Sequence, residues 1–107
     1  MNFEINDAVL TSDLPAIYAF IARNNPSAAE RVLESVHQTF ARITQTPSSG
    51  VVYSPRNPGL KGIRMLPVDG YPNYLVFYRS ESDLVRVLYV VHGARHLSHL
   101  FRREPRI

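Results

Sequence analysis

The stretch Leu84–Phe101, LVRVLYVVHGARHLSHLF, decides how this chain of 107 residues folds. Its first half is apolar and rich in β-branched residues, which is typical of a strand in the interior of a sheet. The apolar run ends at His92-Gly93, where the glycine allows the backbone to turn. Arginines and histidines follow within a few residues, so the strand delivers a cationic cluster to one end of the molecule. Such a cluster favours contact with an acidic or phosphate-rich partner.

The region before this strand alternates with a period of two and predicts two further strands. Gly62–Val68 forms the first and Tyr71–Arg79 the second, with the turn signal Asp69-Gly70 between them. The preceding segment, residues 47–59, is PSSGVVYSPRNPG, whose prolines and glycines are typical of a loop. The three strands therefore form an antiparallel meander in which Leu84–His92 occupies an interior position.

The first half of the chain predicts a short strand followed by a helical hairpin. Alternation from Phe3 indicates the strand, and Thr11-Ser12-Asp13 is a helix start signal. Asn25 caps a second helix that opens at Pro26 and ends at Thr46-Pro47. The predicted fold is α+β, in the order β-α-α-β-β-β, with the hairpin packed on one face of a small, mainly antiparallel sheet. One domain covers residues 1–107, and residues 102–107 form a short exposed tail.

Composition excludes several classes of protein. The chain has no cysteine, which rules out disulfides, thiolate catalysis and cysteine-based zinc sites. No apolar run approaches the roughly 20 residues that cross a bilayer, and the N-terminus does not resemble a signal peptide. We therefore expect a cytoplasmic protein without a membrane partner.

Charge is distributed unevenly along the chain. The first 55 residues carry three arginines and five acids, a balance of −2, whereas the remaining residues carry nine basic and four acidic side chains, a balance of +5. All basic residues except Lys61 are arginines, whose planar donors match phosphate and carboxylate groups. The C-terminal half is therefore the part expected to meet an anionic partner.

Four side chains are candidates for chemistry on the sheet. Arg64, Arg79 and Arg95 would form a concave basic surface if they share the helix-free face, and His92 could act as a general acid or base. The alternative is that each arginine is a solvated residue of the sheet surface and that His92 bonds to backbone. The spacing of His92 with His96 and His99 is interpreted as accidental, so we expect no metal and no cofactor.

Several short motifs, in a fixed order over most of the chain, resemble the ParE/RelE superfamily of toxins from bacterial type II toxin–antitoxin systems. These motifs are Asp13-Leu14-x-x-Ile17, Asn25-Pro26-x-Ala28-Ala29-x-Arg31, Leu60-x-Gly62-x-Arg64, Tyr74-x-Val76-Phe77-Tyr78-Arg79 and Val90-Val91-His92-Gly93-Ala94-Arg95.

The resemblance implies a growth-inhibiting toxin that a cognate antitoxin holds inactive. An acidic, partly disordered antitoxin would suit the basic half of the chain. The ParE-like branch implies inhibition of DNA gyrase without a catalytic group. Contact with the target or the antitoxin is assigned to the cluster after the last strand, which comprises Arg95, His96, His99, Arg102 and Arg103.

Two alternatives stay open. A RelE-like toxin would cleave mRNA on the ribosome, with Arg64 and Arg79 stabilising phosphorane charge and His92 moving a proton. Whether the protein is an enzyme depends on this choice, and the chain departs from the RelE pattern because it lacks a lysine cluster. The second alternative is a small basic RNA-binding domain with no toxin role.

Overall fold

The computed structural model describes residues 2–53, 62–93 and 97–106, except for the side chains of Ser98 and His99. Arg95 and His96, two of the predicted contact residues, lie outside the described residues. The chain forms, in order, β1 (Asn2–Ile5), a π-helical turn (Val9–Asp13), α1 (Leu14–Ala22), α2 (Pro26–Gln45), β2 (Val51–Val52), β3 (Ile63–Val68), β4 (Tyr71–Glu81), β5 (Leu84–His92) and α3 (Leu97–Arg103).

The five strands form one sheet in the order β1-β5-β4-β3-β2. β1 pairs in parallel with β5, and the three other pairings are antiparallel. The predicted α+β class and the mainly antiparallel sheet are thereby confirmed, and so is the interior position of Leu84–His92. The sequence prediction lacked β2, because two residues within a loop carry no periodic signal.

The helical hairpin forms for the reasons that the sequence indicates. The side chain of Asn25 accepts a hydrogen bond from the Ala28 amide, and Pro26 occupies the first turn of α2. The buried stripe of α2 packs on one face of the sheet, and it comprises Ala29, Val32, Val36, Phe40 and Ile43. We call this the hairpin face. On the sheet it carries the side chains of Leu66, Val76, Tyr78, Val87 and Val90.

The opposite face of the sheet is covered rather than free of helix. Leu100 and Phe101 of α3 are buried against Phe77, Tyr89 and their neighbours, and we call this side the α3 face. Helix α3 is only seven residues long, which is too short to give a helical period in the sequence. The expectation of a helix-free face was therefore wrong.

The entry into α1 also differs from expectation. Residues Val9–Asp13 wind as a π-helix, and Asp13 makes no capping hydrogen bond with its side chain. That carboxylate points into the protein instead, to partners given below. No helix in the described parts of the chain is long and apolar enough to span a membrane.

Candidate functional site

Arg64 and Arg79 lie on opposite faces of the sheet. In the β3–β4 register, Arg64 is opposite Tyr78 and Arg79 is opposite Ile63. Directly opposed residues of an antiparallel pair share a face. Tyr78 belongs to the hairpin-face core and Ile63 to the α3-face core. The expectation that these two arginines share one basic surface was therefore wrong. Arg79 is one residue beyond Tyr78, the partner of Arg64, and a shift of one residue moves a side chain to the other face.

Arg64 supports the connection between α2 and β2. Its Nη1 donates a 2.8 Å hydrogen bond to the Gly50 carbonyl. The hydroxyl of Tyr78 accepts from the Gly50 amide at 2.8 Å and donates to the Pro47 carbonyl at 2.7 Å. A Cβ at Gly50 would lie 2.7 Å from that hydroxyl, so only glycine fits without a shift. These contacts give Arg64 a structural role in holding the backbone at Gly50.

Among the other predicted residues, His92 ends β5, whereas Arg102 and Arg103 belong to α3. His92 is paired with Tyr74 across the sheet, and the two rings meet edge to face at 5.2 Å. Arg102 and Arg103 are exposed in the last turn of α3. His99 belongs to the same helix, but its side chain lies outside the described residues. Within the described ranges, no group of three potential ligands could hold a metal ion.

A groove of about 510 Å³ runs beside β5, between α1 and the C-terminal segment. Its described lining is mainly apolar, with two carboxylates as the charged groups. The lining residues are Ser12, Asp13, Ala16, Ile17, Phe20, Tyr74, Val90, Val91, His92 and Glu104. Pockets that are largely apolar with a few polar groups are the usual form of a binding site.

Helix α1 leaves an apolar surface open beside this groove. Its sequence, LPAIYAFIA, contains no charged residue, although the helix lies at the protein surface. Pro15, Ala16 and Ala19 are exposed, and Phe20 is 66% exposed. Contiguous exposed apolar surface rimmed by polar residues is a feature of protein interaction sites. The groove and the outer side of α1 together therefore form the candidate binding surface.

One end of the groove is built from a buried ion pair that sequence reasoning missed. Arg106 donates from Nη1 and Nη2 to the two carboxylate oxygens of Asp13, at 2.5 and 3.0 Å. The two side chains are only 7% and 5% exposed. The guanidinium lies 4.5 Å above the ring of Tyr89, whose hydroxyl donates to the Glu104 carbonyl and accepts from the Arg106 amide. We call Asp13, Tyr89, Glu104 and Arg106 the C-terminal clasp.

Burial and charge shift the pKa values of two clasp residues. Burial raises the pKa of the Tyr89 hydroxyl, and the nearby Arg106 opposes this only in part. Burial alone would lower the pKa of Arg106, but the hydrogen bond and the charge of Asp13 outweigh it, so the pKa of Arg106 is raised. Both groups therefore keep their protons at neutral pH, with Tyr89 neutral and Arg106 cationic.

The clasp supplies hydrogen-bond partners to the edge of β5 beyond the end of β1. The last backbone hydrogen bond from the β1 side reaches the Val87 carbonyl. Beyond it, the carboxylate of Asp13 accepts from the Val90 amide at 3.0 Å, and Arg106 donates to the Leu88 carbonyl at 3.1 Å. Buried backbone groups that lack partners are costly, so the ion pair takes the place of a longer β1.

The C-terminal residues beyond Phe101 differ in exposure. Within the segment 102–107 that we expected to form an exposed tail, Arg102 to Pro105 are exposed, whereas the side chain of Arg106 is buried. Thr11-Ser12-Asp13 resembles a helix cap, and the partner of Asp13 lies 93 positions away. No local signal could have linked the two residues.

Comparisons with known proteins add to this geometry. Residues 8–97 match the family model described as the ParE toxin of type II toxin–antitoxin system, parDE. Among solved structures, the chain is similar to one described as the chromosomal ParDE TA system from P. aeruginosa, with a TM-score of 0.67 and 17% identity. That alignment covers 86% of this chain and 95% of the other, and at this identity it shows a common fold. No curated protein sequence gives a significant match.

Proposed function

Because the chain belongs to the ParE toxin family of type II toxin–antitoxin systems, we propose that it arrests bacterial growth by binding DNA gyrase and that a cognate antitoxin neutralises it through the groove beside α1. Family membership confirms the resemblance drawn from the short motifs. It leaves the alternative of an RNA-binding domain without support. The observation that carries the antitoxin site is the uncovered apolar surface of α1 beside the groove.

The groove suits the apolar part of an antitoxin segment. Ile17, Phe20 and Val90 offer an apolar lining, and burial of such surface is the main driving force of association. Acidic residues of the same partner would lie outside the groove, because the charged groups of its described lining are themselves carboxylates. Arg102 and Arg103 are exposed on α3 and are suitable contacts for these acidic residues. Arg95, His96 and His99 of the same cluster remain proposed contacts as well.

The positions of Arg64 and Arg79 favour gyrase over ribosomal mRNA as the target. A nuclease must bring cations and a proton-transfer group to one phosphate. Arg64 and Arg79 extend from opposite faces of the sheet, and Arg64 is bonded to the Gly50 carbonyl. Binding to gyrase requires only a complementary surface, which is compatible with this arrangement.

Induction of the protein in a bacterial host tests the toxin and its target together. We expect growth arrest accompanied by gyrase-dependent DNA breaks and an SOS response, with translation failing only later. Co-expression of the cognate antitoxin should restore growth. Early cleavage of mRNA on ribosomes without DNA breaks would contradict the gyrase target. A lack of any growth effect would contradict toxicity itself.

A matched pair of variants separates the two targets further. Arg64→Lys and Arg79→Lys keep the charge of each side chain but remove the guanidinium. If the protein acts on gyrase, neither change should abolish toxicity, provided that circular dichroism shows a folded chain. Loss of toxicity in both folded variants would favour the nuclease.

A further inference from the structure

Two residues of the C-terminal clasp, Asp13 and Glu104, also line the groove. From this overlap we propose that Arg106, which does not line the groove, is a positioning residue for antitoxin binding. The antitoxin binds the state in which the C-terminal segment is docked, so occupancy of the groove and docking of α3 reinforce each other. The inference rests on the proposed placement of the antitoxin in the groove.

Arg106 holds the carboxylate of Asp13 in the groove wall. Both terminal guanidinium nitrogens bond to that carboxylate, which also accepts a hydrogen bond from the Val90 amide. Removal of the guanidinium would leave a buried carboxylate without its counter-charge, which is strongly unfavourable. Asp13 would then turn toward water and release the Val90 amide. The wall of the groove at the edge of β5 would change with it.

Arg106 also fixes the position of Glu104. Its Nη2 bonds to the Glu104 carboxylate at 3.2 Å, and its amide bonds to the Tyr89 hydroxyl at 3.1 Å. The Glu104 carbonyl accepts from the same hydroxyl, and its amide donates to the Leu100 carbonyl of α3. The Glu104 side chain itself is 51% exposed, and Glu104 is one of the residues that line the groove. One residue of the groove wall is therefore attached directly to both Arg106 and α3.

The coupling between antitoxin binding and docking of α3 follows from thermodynamic linkage. A ligand that binds one of two states more tightly shifts the equilibrium toward that state, and the coupling is equal in both directions. An antitoxin that contacts Asp13 and Glu104 in the groove must bind the docked state more tightly, since undocking removes part of its contact surface. Its binding therefore holds α3, with the exposed Arg102 and Arg103, in a fixed position.

Arg106→Met is the variant that tests this coupling. Methionine keeps an unbranched stem over Tyr89 but removes the charge and all side-chain donors. Arg31→Met on the exposed side of α2 is the matched control. The probe is the purified cognate antitoxin, titrated against each full-length variant. We expect Arg106→Met to weaken binding by about tenfold, with Arg31→Met close to the wild type. Unchanged affinity in a folded Arg106→Met protein would overturn the inference.

Amide hydrogen exchange distinguishes the proposed coupling from a purely stabilising role of Arg106. Leu100 and Phe101 lie on the α3 face and do not line the groove. In the wild type, their amides should exchange more slowly once the antitoxin is bound. In Arg106→Met this extra protection should disappear, whereas protection by direct contact would persist. Faster exchange in the wild-type complex would mean that the antitoxin displaces α3, and would overturn the proposal even if the variant fails to fold.

A third variant distinguishes failure of this inference from failure of the proposed binding site. Phe20→Glu places a charge on the exposed apolar surface of α1 without touching the clasp. If Phe20→Glu weakens binding and folded Arg106→Met does not, the groove is the site but the coupling is wrong. If Phe20→Glu binds as tightly as the wild type, the antitoxin does not use this surface and both proposals fall.

Discussion

The two faces of the sheet are covered in different ways. The hairpin face is packed by the long apolar stripe of α2, whereas the α3 face is covered by a seven-residue helix whose end is held by the clasp. Burial of apolar area is nearly independent of pH, while an ion pair with tyrosine hydrogen bonds depends on charge and geometry. We therefore expect the hairpin face to contribute most to global stability and the C-terminal segment to loosen without global unfolding.

The largest expected effect lies in the hairpin-face core. Phe40 is buried between α2 and the sheet, so Phe40→Ala removes a large side chain and leaves a cavity. We expect a loss of about 3–5 kcal/mol in the free energy of unfolding, measured by urea denaturation. The exposed neighbour change Gln38→Ala should cost less than about 0.5 kcal/mol. A loss for Phe40→Ala as small as that of the control would contradict the division between the faces.

Two buried tyrosines permit a matched comparison of the faces. Tyr78 and Tyr89 are both fully buried, and each hydroxyl bonds to two backbone groups. Tyr78→Phe leaves the buried Gly50 amide without its partner, and we expect a global loss of about 1–3 kcal/mol. Tyr89→Phe should cost about 1 kcal/mol, because the terminal segment can move its amide and carbonyl into water.

The two tyrosine variants should also differ in which part of the chain loses stability. Hydrogen exchange should accelerate throughout the sheet in Tyr78→Phe, because the whole domain opens more often. In Tyr89→Phe the acceleration should be concentrated in the C-terminal segment. The same exchange pattern in both variants would show that the two faces unfold as one unit.

The smallest predicted effect is a dependence on high pH. The pKa of Tyr89 is raised in the folded state, chiefly by burial, from an ordinary value of 10.0. Above pH 10 an undocked Tyr89 loses its proton while the docked residue retains it, so the unfolded state binds fewer protons and stability falls as pH rises. The stability advantage of the wild type over Tyr89→Phe should therefore shrink between pH 9 and 10.5, by less than about 1 kcal/mol. A constant difference in urea denaturation across that range would be the contrary result.

The sequence predicted those parts of the fold that local patterns determine. The alternation in Tyr71–Arg79, the apolar run of Leu84–His92 and the cap at Asn25 are local signals, and the structure confirms the strands and helix that they predict. Local signals suffice there because the period of a segment reflects the face that it buries.

What was missed depends on relations between distant residues. The faces of Arg64 and Arg79 follow from a register that a one-residue shift would reverse, and alternation within each strand does not fix that register. The Asp13–Arg106 pair joins residues 93 positions apart, one in an apparent cap and one near the chain end. Periodicity carries no information about either relation, and so the groove wall could be found only in the folded chain.

Supercoiling by purified DNA gyrase is the measurement that tests the central claim most directly. The wild-type protein should inhibit the reaction or leave cleaved DNA, and the cognate antitoxin should abolish the effect. It should do so less well against Phe20→Glu, which impairs its proposed binding surface. Full gyrase activity at a concentration of toxin that stops translation and cleaves mRNA would contradict the account.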